Sequence, residues 1–340
     1  MKKKLHYCLI LLFLCFVSLV DAQNVNRHVE SLLSLIDVES YAIHFDSLRT
    51  DKNSDRKVRQ GASQSIDHDA CRDYIYRQFV HYFGDSLVYV HYFDKGTYKG
   101  LANVAGFKPG TNPDAGIWIV GAHYDSNNNF SEYDSLDIAP GANDNGTGLA
   151  AVLEIARVLS GIESEASVLF AAWDFEERFT NGLPTGSNEW YQTYVKRFRR
   201  TDFEAVGRGG NIRRNDIVAY LNFDMFGNPA DSIDNKPVLW VCYGINQHVD
   251  FANEYSETVN AYVPDIHALT YGRMIFSDHF TFALRRIPAI ENLQSDYTSD
   301  KYYHTSYDNI DTPDNINYEF AVNVTRGGLA FLLENINMSE

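Results

Sequence analysis

Residues 117–125 read Ile-Trp-Ile-Val-Gly-Ala-His-Tyr-Asp, an apolar run of strand length that ends in the polar residues His123 and Asp125. A continuous apolar run is typical of a strand that is buried on both faces, as in a parallel sheet. A second run of this kind, 168–173, follows a helical pattern of apolar residues at 148–159. A helix between two buried strands predicts an α/β fold in which helices cover the sheet.

The rest of the chain continues this alternation. Further apolar runs predict strands at 87–93, 101–107, 217–224, 238–243 and 287–291. Apolar residues at helical spacing predict helices at 24–50, 69–84, 187–199, 250–260 and 317–336. We therefore predict a three-layer α/β sandwich, with a mixed but mostly parallel central sheet and helices on both faces. In such sheets, ligands bind beyond the carboxyl ends of the strands.

Composition supports one large folded domain. Of the 340 residues, 45% are hydrophobic and 22% are charged, which excludes a disordered tail, a collagen and a coiled coil. The net charge of -16 argues against nucleic-acid binding, which needs clustered Lys and Arg. No repeat and no linker rich in Gly, Ser or Pro interrupts the pattern, so we expect residues 23–340 to form a single catalytic domain.

The N-terminus has the pattern of a secretory signal peptide. Lysines at 2–4 precede an apolar run at 9–20, and a small residue, Ala22, follows. We therefore predict that residues 1–22 are cleaved and that the mature protein is exported, periplasmic or extracellular, without stable membrane insertion. The run is short for a membrane span, and the alternative is an uncleaved N-terminal anchor.

Two cysteines remain after the predicted cleavage, Cys71 in a helical pattern and Cys242 in a buried-strand pattern. Two cysteines do not make a disulfide framework, so we expect two buried thiols. Export to an oxidising compartment keeps a bridge between them open as the alternative.

Strand ends are where chemistry is expected, and the first of them carries His123. One ring nitrogen of His123 could bind a metal while Asp125 accepts a hydrogen bond from the other. The next candidate is Asp144, in the glycine-rich stretch Ala139–Gly148 that opens a predicted helix. A helix N-cap is the other interpretation of Asp144, since Asp is a preferred capping residue. The stretch lacks the Gly-Lys-Ser/Thr ending of a phosphate-binding P-loop.

Two adjacent carboxylates, Glu176 and Glu177, follow the second apolar strand. They repel each other and lose hydration there, so a cation must compensate them. That cation is either Arg178 or a metal ion bound by one carboxylate, which leaves the other free as a general base. Asp224 ends another predicted strand, and His304 lies in a late loop.

Histidines and carboxylates thus occupy separate strand ends of one predicted sheet. Nitrogen and carboxylate ligands suit zinc, and one bridging carboxylate would let the set form two metal sites. The sequence has no Gly-x-Ser-x-Gly nucleophile motif and no His-Glu-x-x-His helix. A metal site is therefore the chemistry that these residues favour.

The motifs resemble those of the zinc aminopeptidase-like peptidases of family M28 over residues 55–335. The matching segments, in chain order, are Gly121–Ser126, Pro140–Gly148, Glu176-Glu177 with Gly186-Ser187, Asn222–Asp224, Ser277–Phe280 and His304–Asp308. The resemblance implies a zinc-exopeptidase-like fold, two Zn2+ ions, peptide substrates and an exopeptidase activity, most often that of an aminopeptidase.

The resemblance also implies a role for each residue. His123 and Asp224 would hold one zinc, Glu177 and His304 the other, and Asp144 would bridge both. Glu176 would be the general base that takes a proton from a metal-bridging water, and Asp125 would orient His123. Asp278 and His279 match a family segment near the site without an assigned role.

One departure from the family affects the expected specificity. Eight residues, 178–185, separate the Glu pair from Gly186, where the family usually has four. This loop would border the specificity pocket, so the resemblance does not carry a substrate preference over to this chain. The protease-associated insert of some relatives is absent from the sequence.

Two other functions compete with the peptidase. A glutaminyl-peptide cyclotransferase shares the fold and would use a single zinc, held by Asp144, Glu177 and His304. A non-catalytic binding protein with the same fold should lack one of the metal-ligating residues or the general base. This chain has all five candidate ligands and Glu176. The resemblance favours the peptidase.

Overall fold

The computed structural model of the protein describes residues 25–61, 64–129, 136–178, 181–196 and 212–338. The predicted signal peptide, residues 1–22, lies outside these ranges, so its cleavage stays a prediction. Across the described ranges, we find no helix with both the length and the apolar character that a membrane crossing requires.

A sheet of nine strands forms the centre of the described structure. In chain order the strands are β1 Val88–Lys95, β2 Tyr98–Lys108, β3 Ile117–His123, β4 Ser167–Trp173, β5 Ile217–Phe223, β6 Ser232–Ile233, β7 Lys236–Tyr243, β8 His267–Arg273 and β9 Ala289–Gln294. Across the sheet their order is β1-β2-β4-β3-β5-β9-β7-β6, and β8 pairs with β7.

The middle of the sheet is parallel and its margins are mostly antiparallel. Strands β4, β3, β5 and β9 pair in parallel with one another. The pairs β1–β2, β2–β4, β7–β9 and β6–β7 are antiparallel, while β7–β8 is parallel. The predicted mixed α/β class is confirmed, although half of the pairings are antiparallel because hairpin-like strands extend both edges.

Helices cover both faces of this sheet, as predicted. They are α1 Arg27–Leu33, α2 Val38–Ser47, α3 Ile66–Phe83, α4 Gly148–Ser160, α5 Thr185–Tyr191, α6 Val249–Tyr262, α7 His279–Ala283 and α8 Tyr318–Asn335. The larger apolar core lies on one face, under α1–α4, α6 and α8. A second core lies on the other face, where Trp173 and Tyr220 of the sheet pack against Trp190 of α5 and Phe282 of α7.

The single helix predicted at 24–50 is wrong, because the structure has two helices there. Asp37 begins the second one with a capping box: its carboxylate accepts from the backbone N–H of Ser40, whose hydroxyl accepts from the N–H of Asp37. A capping residue of this kind starts a new helix and lets the chain turn. The strand β8 was also not predicted, since it has no continuous apolar run: Ala268 is its one buried residue, and the others are half-buried or exposed.

The two cysteines are free and fully buried. Cys71 lies in α3, and Cys242 lies in β7. Burial raises the pKa of the Cys71 thiol to about 11, so it is protonated and unreactive at neutral pH. The expectation of two buried thiols is confirmed.

A buried ion pair anchors the turn that follows β4. His68 of α3 and Asp174 are both fully buried, and His68 Nε2 lies 2.9 Å from Asp174 Oδ1. The other carboxylate oxygen accepts from the backbone N–H of Ala102, at 2.8 Å. Because Asp174 stands just before the Glu176–Glu177 pair, this contact fixes the chain where the candidate site begins.

The His68–Asp174 pair predicts a pH-dependent contribution to stability. Burial alone would lower the pKa of His68, but the Asp174 carboxylate raises it to about 9, above the value of about 6.5 in an unfolded chain. The stabilisation is therefore complete below about pH 6.5 and is lost as pH rises through about 9. The excess unfolding free energy of wild type over His68→Gln should shrink by about 3 kcal/mol between about pH 6 and about pH 10.

Urea unfolding across this range measures the effect. His81→Gln serves as the control, because it changes a histidine on the exposed side of the same helix. A constant difference between wild type and His68→Gln at all pH values would contradict the charged pair.

Candidate metal centre

The predicted ligands meet at the carboxyl ends of neighbouring parallel strands. His123 is the last residue of β3, and Asp224 comes directly after β5. Glu177 lies in the turn after β4, and His304 lies in the loop after β9. Because these strands are adjacent in the order β4-β3-β5-β9, their ends place the side chains together.

Asp144 lies between the other four residues, in a distorted turn, Ala142–Thr147, that leads into α4. Its Oδ1 is 3.3 Å from His123 Nε2, and its Oδ2 is 3.1 Å from His304 Nε2. The helix-capping contact is made instead by Asn145, whose Oδ1 accepts from the backbone N–H of Gly148 at 2.9 Å. The N-cap interpretation of Asp144 is therefore wrong, and its carboxylate is free to face both histidines.

Two ligand groups share this carboxylate. The first consists of His123, Asp144 and Asp224, and the second of Asp144, Glu177 and His304. His123 Nε2 lies 3.2 Å from Asp224 Oδ1, and His304 Nε2 lies 3.2 Å from Glu177 Oε2. Each imidazole nitrogen thus has two carboxylate oxygens at nearly equal distance.

These spacings fit zinc. Ligand atoms about 2.0–2.1 Å from one tetrahedral zinc ion lie about 3.3 Å from each other, close to the separations in both groups. In addition, Glu177 Oε1 is buried and accepts no hydrogen bond from the described residues. A buried carboxylate oxygen in this state fits the role of a cation ligand.

The proton-binding properties of the cluster reflect its excess of carboxylates. Burial lowers the pKa of His304, but Glu177 and Asp144 outweigh it and raise the pKa to about 10. Burial also raises the pKa of Glu177, against the opposing effect of His304. In the absence of metal the cluster therefore holds protons, and metal ions would displace them on binding.

Glu176 lies beside the ligands and belongs to neither ligand group. It is 4% exposed, and none of the described residues hydrogen-bonds to its Oε1. Burial raises the pKa of Glu176 well above its ordinary value, while His123 acts in the opposite direction. Glu176 therefore borders the candidate ligands and has an oxygen that accepts no hydrogen bond from the described residues. A carboxylate in this position can accept a proton and release it.

Asp125 contacts the Glu pair more closely than it contacts His123. Its Oδ1 and Oδ2 accept from the backbone N–H groups of Glu176 and Glu177, at 3.0 and 3.2 Å. His123 Nδ1 lies 3.1 Å from the carbonyl oxygen of Asp125 and 3.6 Å from its carboxylate. The carbonyl thus orients His123, and the carboxylate fixes the turn that carries Glu176 and Glu177.

Several residues that hold the ligands were not predicted. The Ser277 hydroxyl donates to Asp224 Oδ2, and Asn127 donates to Glu177 Oε2 at 3.3 Å. The guanidinium of Arg56, fully buried, donates to the carbonyl oxygens of Tyr124, Pro140 and Gly141. Only the motif around Ser277 gave a sequence signal.

Arg178, the other candidate counter-ion of the Glu pair, makes no ion pair within the described part of the chain. The side chains that contact Glu177 are His304 and Asn127. Residues 179 and 180 of the lengthened loop lie outside the described ranges.

Asp308 supports Asp144 from behind. Its Oδ1 accepts from the backbone N–H of Asn143 at 2.7 Å, and its Oδ2 accepts from that of Asp144 at 2.9 Å. Burial raises the pKa of Asp308 to about 7, and Asn315 and these two N–H groups counteract part of that rise. The turn that presents the shared carboxylate is thus fixed by a second carboxyl group.

A cavity of about 770 Å³ opens over the ligands. Its lining includes acidic, apolar and aromatic side chains, among them Met225, Met274, Glu291, Leu293 and Tyr303. Asp278, from the motif without an assigned role, is fully buried with both carboxyl oxygens lacking a partner among the described residues. Burial raises its pKa to about 7, and His123 opposes this rise.

Comparison with known proteins places this arrangement in a family. The sequence model described as Peptidase family M28 matches residues 103–329, a range that includes every predicted ligand. YfbL of Escherichia coli K12, described as uncharacterized, is 28% identical over 247 residues, which cover 70% of this chain and 71% of that protein. Leucine aminopeptidase 1 of Pyrenophora tritici-repentis is 29% identical over 206 residues, covering 57% of this chain and 46% of that protein.

Solved structures share the fold. The LapA aminopeptidase of Legionella pneumophila has a TM-score of 0.69 at 21% identity and covers 93% of this chain and 77% of that one. A Bacteroides thetaiotaomicron glutaminyl cyclase bound to N-acetylhistamine has a TM-score of 0.62 at 19% identity and covers 90% and 98%. The expected zinc-exopeptidase fold and the resemblance to a metallo-exopeptidase family are thus confirmed.

The support of Asp144 by Asp308 predicts an effect on zinc affinity. Asp308→Asn replaces one of two acceptor oxygens with an NH2 group that faces a backbone N–H. We expect zinc affinity to fall about 10- to 100-fold although no ligand is removed. Competition with a zinc chelator measures this affinity. Asp314→Asn, at an exposed position nearby, is the matched control, and equal affinity in both variants would refute the supporting role.

Proposed function

Because the chain belongs to peptidase family M28, we propose that it is an exported di-zinc aminopeptidase that removes N-terminal residues from peptides. The proposal rests above all on the position of Asp144, which belongs to two separate ligand groups. A site for a single zinc would need only the second group. His123 and Asp224 complete the first one.

In this proposal, the chain's residues divide the work between binding and proton transfer. His123 and Asp224 would hold one ion, Glu177 and His304 would hold the other, and Asp144 would belong to both ligand sets. When bound, zinc would polarise a scissile carbonyl and lower the pKa of water. The backbone held by Asp125 keeps Glu176 beside the place where these ligands converge.

Glu176 moves the proton in the hydrolytic step. Its carboxylate takes a proton from the attacking water as the water oxygen bonds to the scissile carbonyl carbon. The same proton then passes to the amide nitrogen as the carbon–nitrogen bond breaks, so that an amine leaves. The burial of Glu176 favours the protonated form that this second transfer requires.

The charge of the cavity favours the amino end of a peptide. Among the described residues, its lining has six carboxyl groups, those of Asp144, Glu176, Glu177, Asp224, Glu291 and Asp300, and one lysine, Lys301. With two zinc ions bound, the six carboxylates still outnumber the positive charges of the zinc ions and Lys301. The remaining negative charge attracts an α-ammonium group and repels a terminal carboxylate. Several relatives that the chain resembles are also named aminopeptidases.

Incubation of the zinc-loaded protein with a defined peptide mixture tests this activity. The mixture contains peptides with N-terminal Leu, Ala, Lys or Gln and the same peptides with a blocked N-terminus. We expect stepwise loss of the first residue from the free peptides only, detected by mass spectrometry. Loss of ammonia from the Gln peptide alone would establish a glutaminyl cyclase instead. Cleavage of the blocked peptides would refute the amino-end preference.

The adjacent carboxylates allow a matched test of their roles. Glu176→Gln should keep two zinc ions per chain but lose at least about 100-fold in turnover, because the amide cannot accept the proton. Glu177→Gln should lose zinc, since it removes a ligand. Zinc stoichiometry by atomic spectroscopy and turnover on the same samples distinguish them. Full turnover in Glu176→Gln would show that another group is the base.

A further inference from the structure

Glu291 is a buried acid in the wall of the cavity that the hydrolytic step does not use. It lies in β9, where it pairs with Cys242 of β7 and with Asn222 of β5. Asn222 is two residues before the ligand Asp224, so the Cα atoms of Glu291 and Asp224 are roughly 8 Å apart. Glu291 therefore stands one side-chain length from the candidate metal centre.

One side of Glu291 is apolar. Residues paired across strands, and residues two apart in a strand, point to the same face of a sheet. Glu291 accordingly shares its face with Cys242 and Leu293, which form an apolar cluster with Met225. Met274 and Tyr303 pack against this cluster and also line the cavity.

The carboxyl group of Glu291 has no counter-ion among the described residues. The side chain is 3% exposed, and its Oε2 is buried without a hydrogen-bond partner. The nearest cationic candidate is His279, whose Nδ1 lies 3.5 Å from Oε2. His279 Nε2 lies 3.0 Å from the carbonyl oxygen of Met274, to which it donates. Burial lowers the pKa of His279 to about 4, so the ring is neutral and Nδ1 has no proton to offer.

Apart from the candidate metal ligands, Glu176 and Glu291 itself, the charged residues in the described lining of the cavity are Asp300 and Lys301, and both contact neighbours. Asp300 Oδ2 accepts from Asn143 and Gln294, at 2.9 and 3.1 Å, and its Oδ1 accepts from the backbone N–H of Tyr302. Lys301 is exposed and lies over the ring of Tyr302, 4.6 Å from its centroid. Glu291 is thus the acid of this wall that a ligand can still satisfy.

We propose that Glu291 determines substrate specificity by binding the cationic end of an N-terminal lysine or arginine side chain. This inference rests on the proposed aminopeptidase function. The methylene groups of such a side chain would pack on Met225, Leu293 and Met274, while the charged end reaches the carboxylate. Burial, together with Asp224 and Asp278, raises the pKa of Glu291 well above its ordinary value. A cationic side chain beside the carboxyl group would favour its ionised form in the bound state.

Binding of two amino alcohols tests the subsite without hydrolysis. L-Lysinol and L-norleucinol both have a free α-amino group, and they differ by one ammonium group at the end of the side chain. Calorimetry with the zinc-loaded protein should show lysinol binding about 10- to 100-fold more tightly than norleucinol. Glu291→Gln should abolish this difference, while Asp265→Asn, which removes an exposed acid outside the cavity, should keep it.

Equal affinity of wild type for the two alcohols would overturn the proposal, whether or not the variant folds. An equal loss for both alcohols in Glu291→Gln would overturn it too, since that is the effect of a purely structural residue. Hydrolysis provides the second measurement: in Glu291→Gln, kcat/KM for Lys and Arg peptides should fall much more than kcat/KM for Leu peptides. Discrimination between the alcohols in a protein that hydrolyses no peptide would support the subsite and overturn only the peptidase function.

Discussion

The shared carboxylate of Asp144 is the constraint on which the centre depends. It faces His123 on one side and His304 on the other, and these histidines come from opposite ends of the ligand set. Its position is fixed by the backbone N–H contacts to Asp308 and not by its own side chain. The carboxylate is therefore free to serve two groups, and any movement of the turn would disturb both at once.

A buried site with so many carboxyl groups needs a means of keeping them in place before a cation arrives. The structure uses a second set of acids for this purpose. Asp125, Asp174 and Asp308 accept backbone N–H bonds and so fix the turns from which the ligands project. One ligand acid, Glu177, keeps an oxygen, Oε1, that has no hydrogen-bond partner among the described residues. The acids that accept backbone N–H groups thus fix the turns, and the candidate ligand acids remain available to a metal ion.

The sequence predicted this site better than it predicted the elements around it. Strand ends that carry His123, Glu177 and Asp224 follow apolar runs, and the parallel topology then places them together without further information. The break at Asp37 and the strand β8 were missed, because a capping residue and an amphipathic edge strand leave weak periodic signals. The residues that hold the turns around the ligands, such as Arg56, were missed for another reason. A contact such as that of Arg56 with the Gly141 carbonyl joins residues 85 positions apart, and no local pattern records it.

Peptidase and cyclase share this fold, so the fold does not determine the reaction. The candidate ligands are more informative about the reaction. A single zinc would need only Asp144, Glu177 and His304, and His123 and Asp224 form a second ligand group with Asp144. We attribute the choice among substrates to the polar groups of the cavity wall. These groups differ in how many hydrogen bonds they already accept from the protein. An acid such as Asp300, whose oxygens accept three hydrogen bonds, has little to gain from a ligand. An acid such as Glu291, whose buried Oε2 has no hydrogen-bond partner among the described residues, can gain a direct contact with a cationic ligand, and we attribute specificity to that difference.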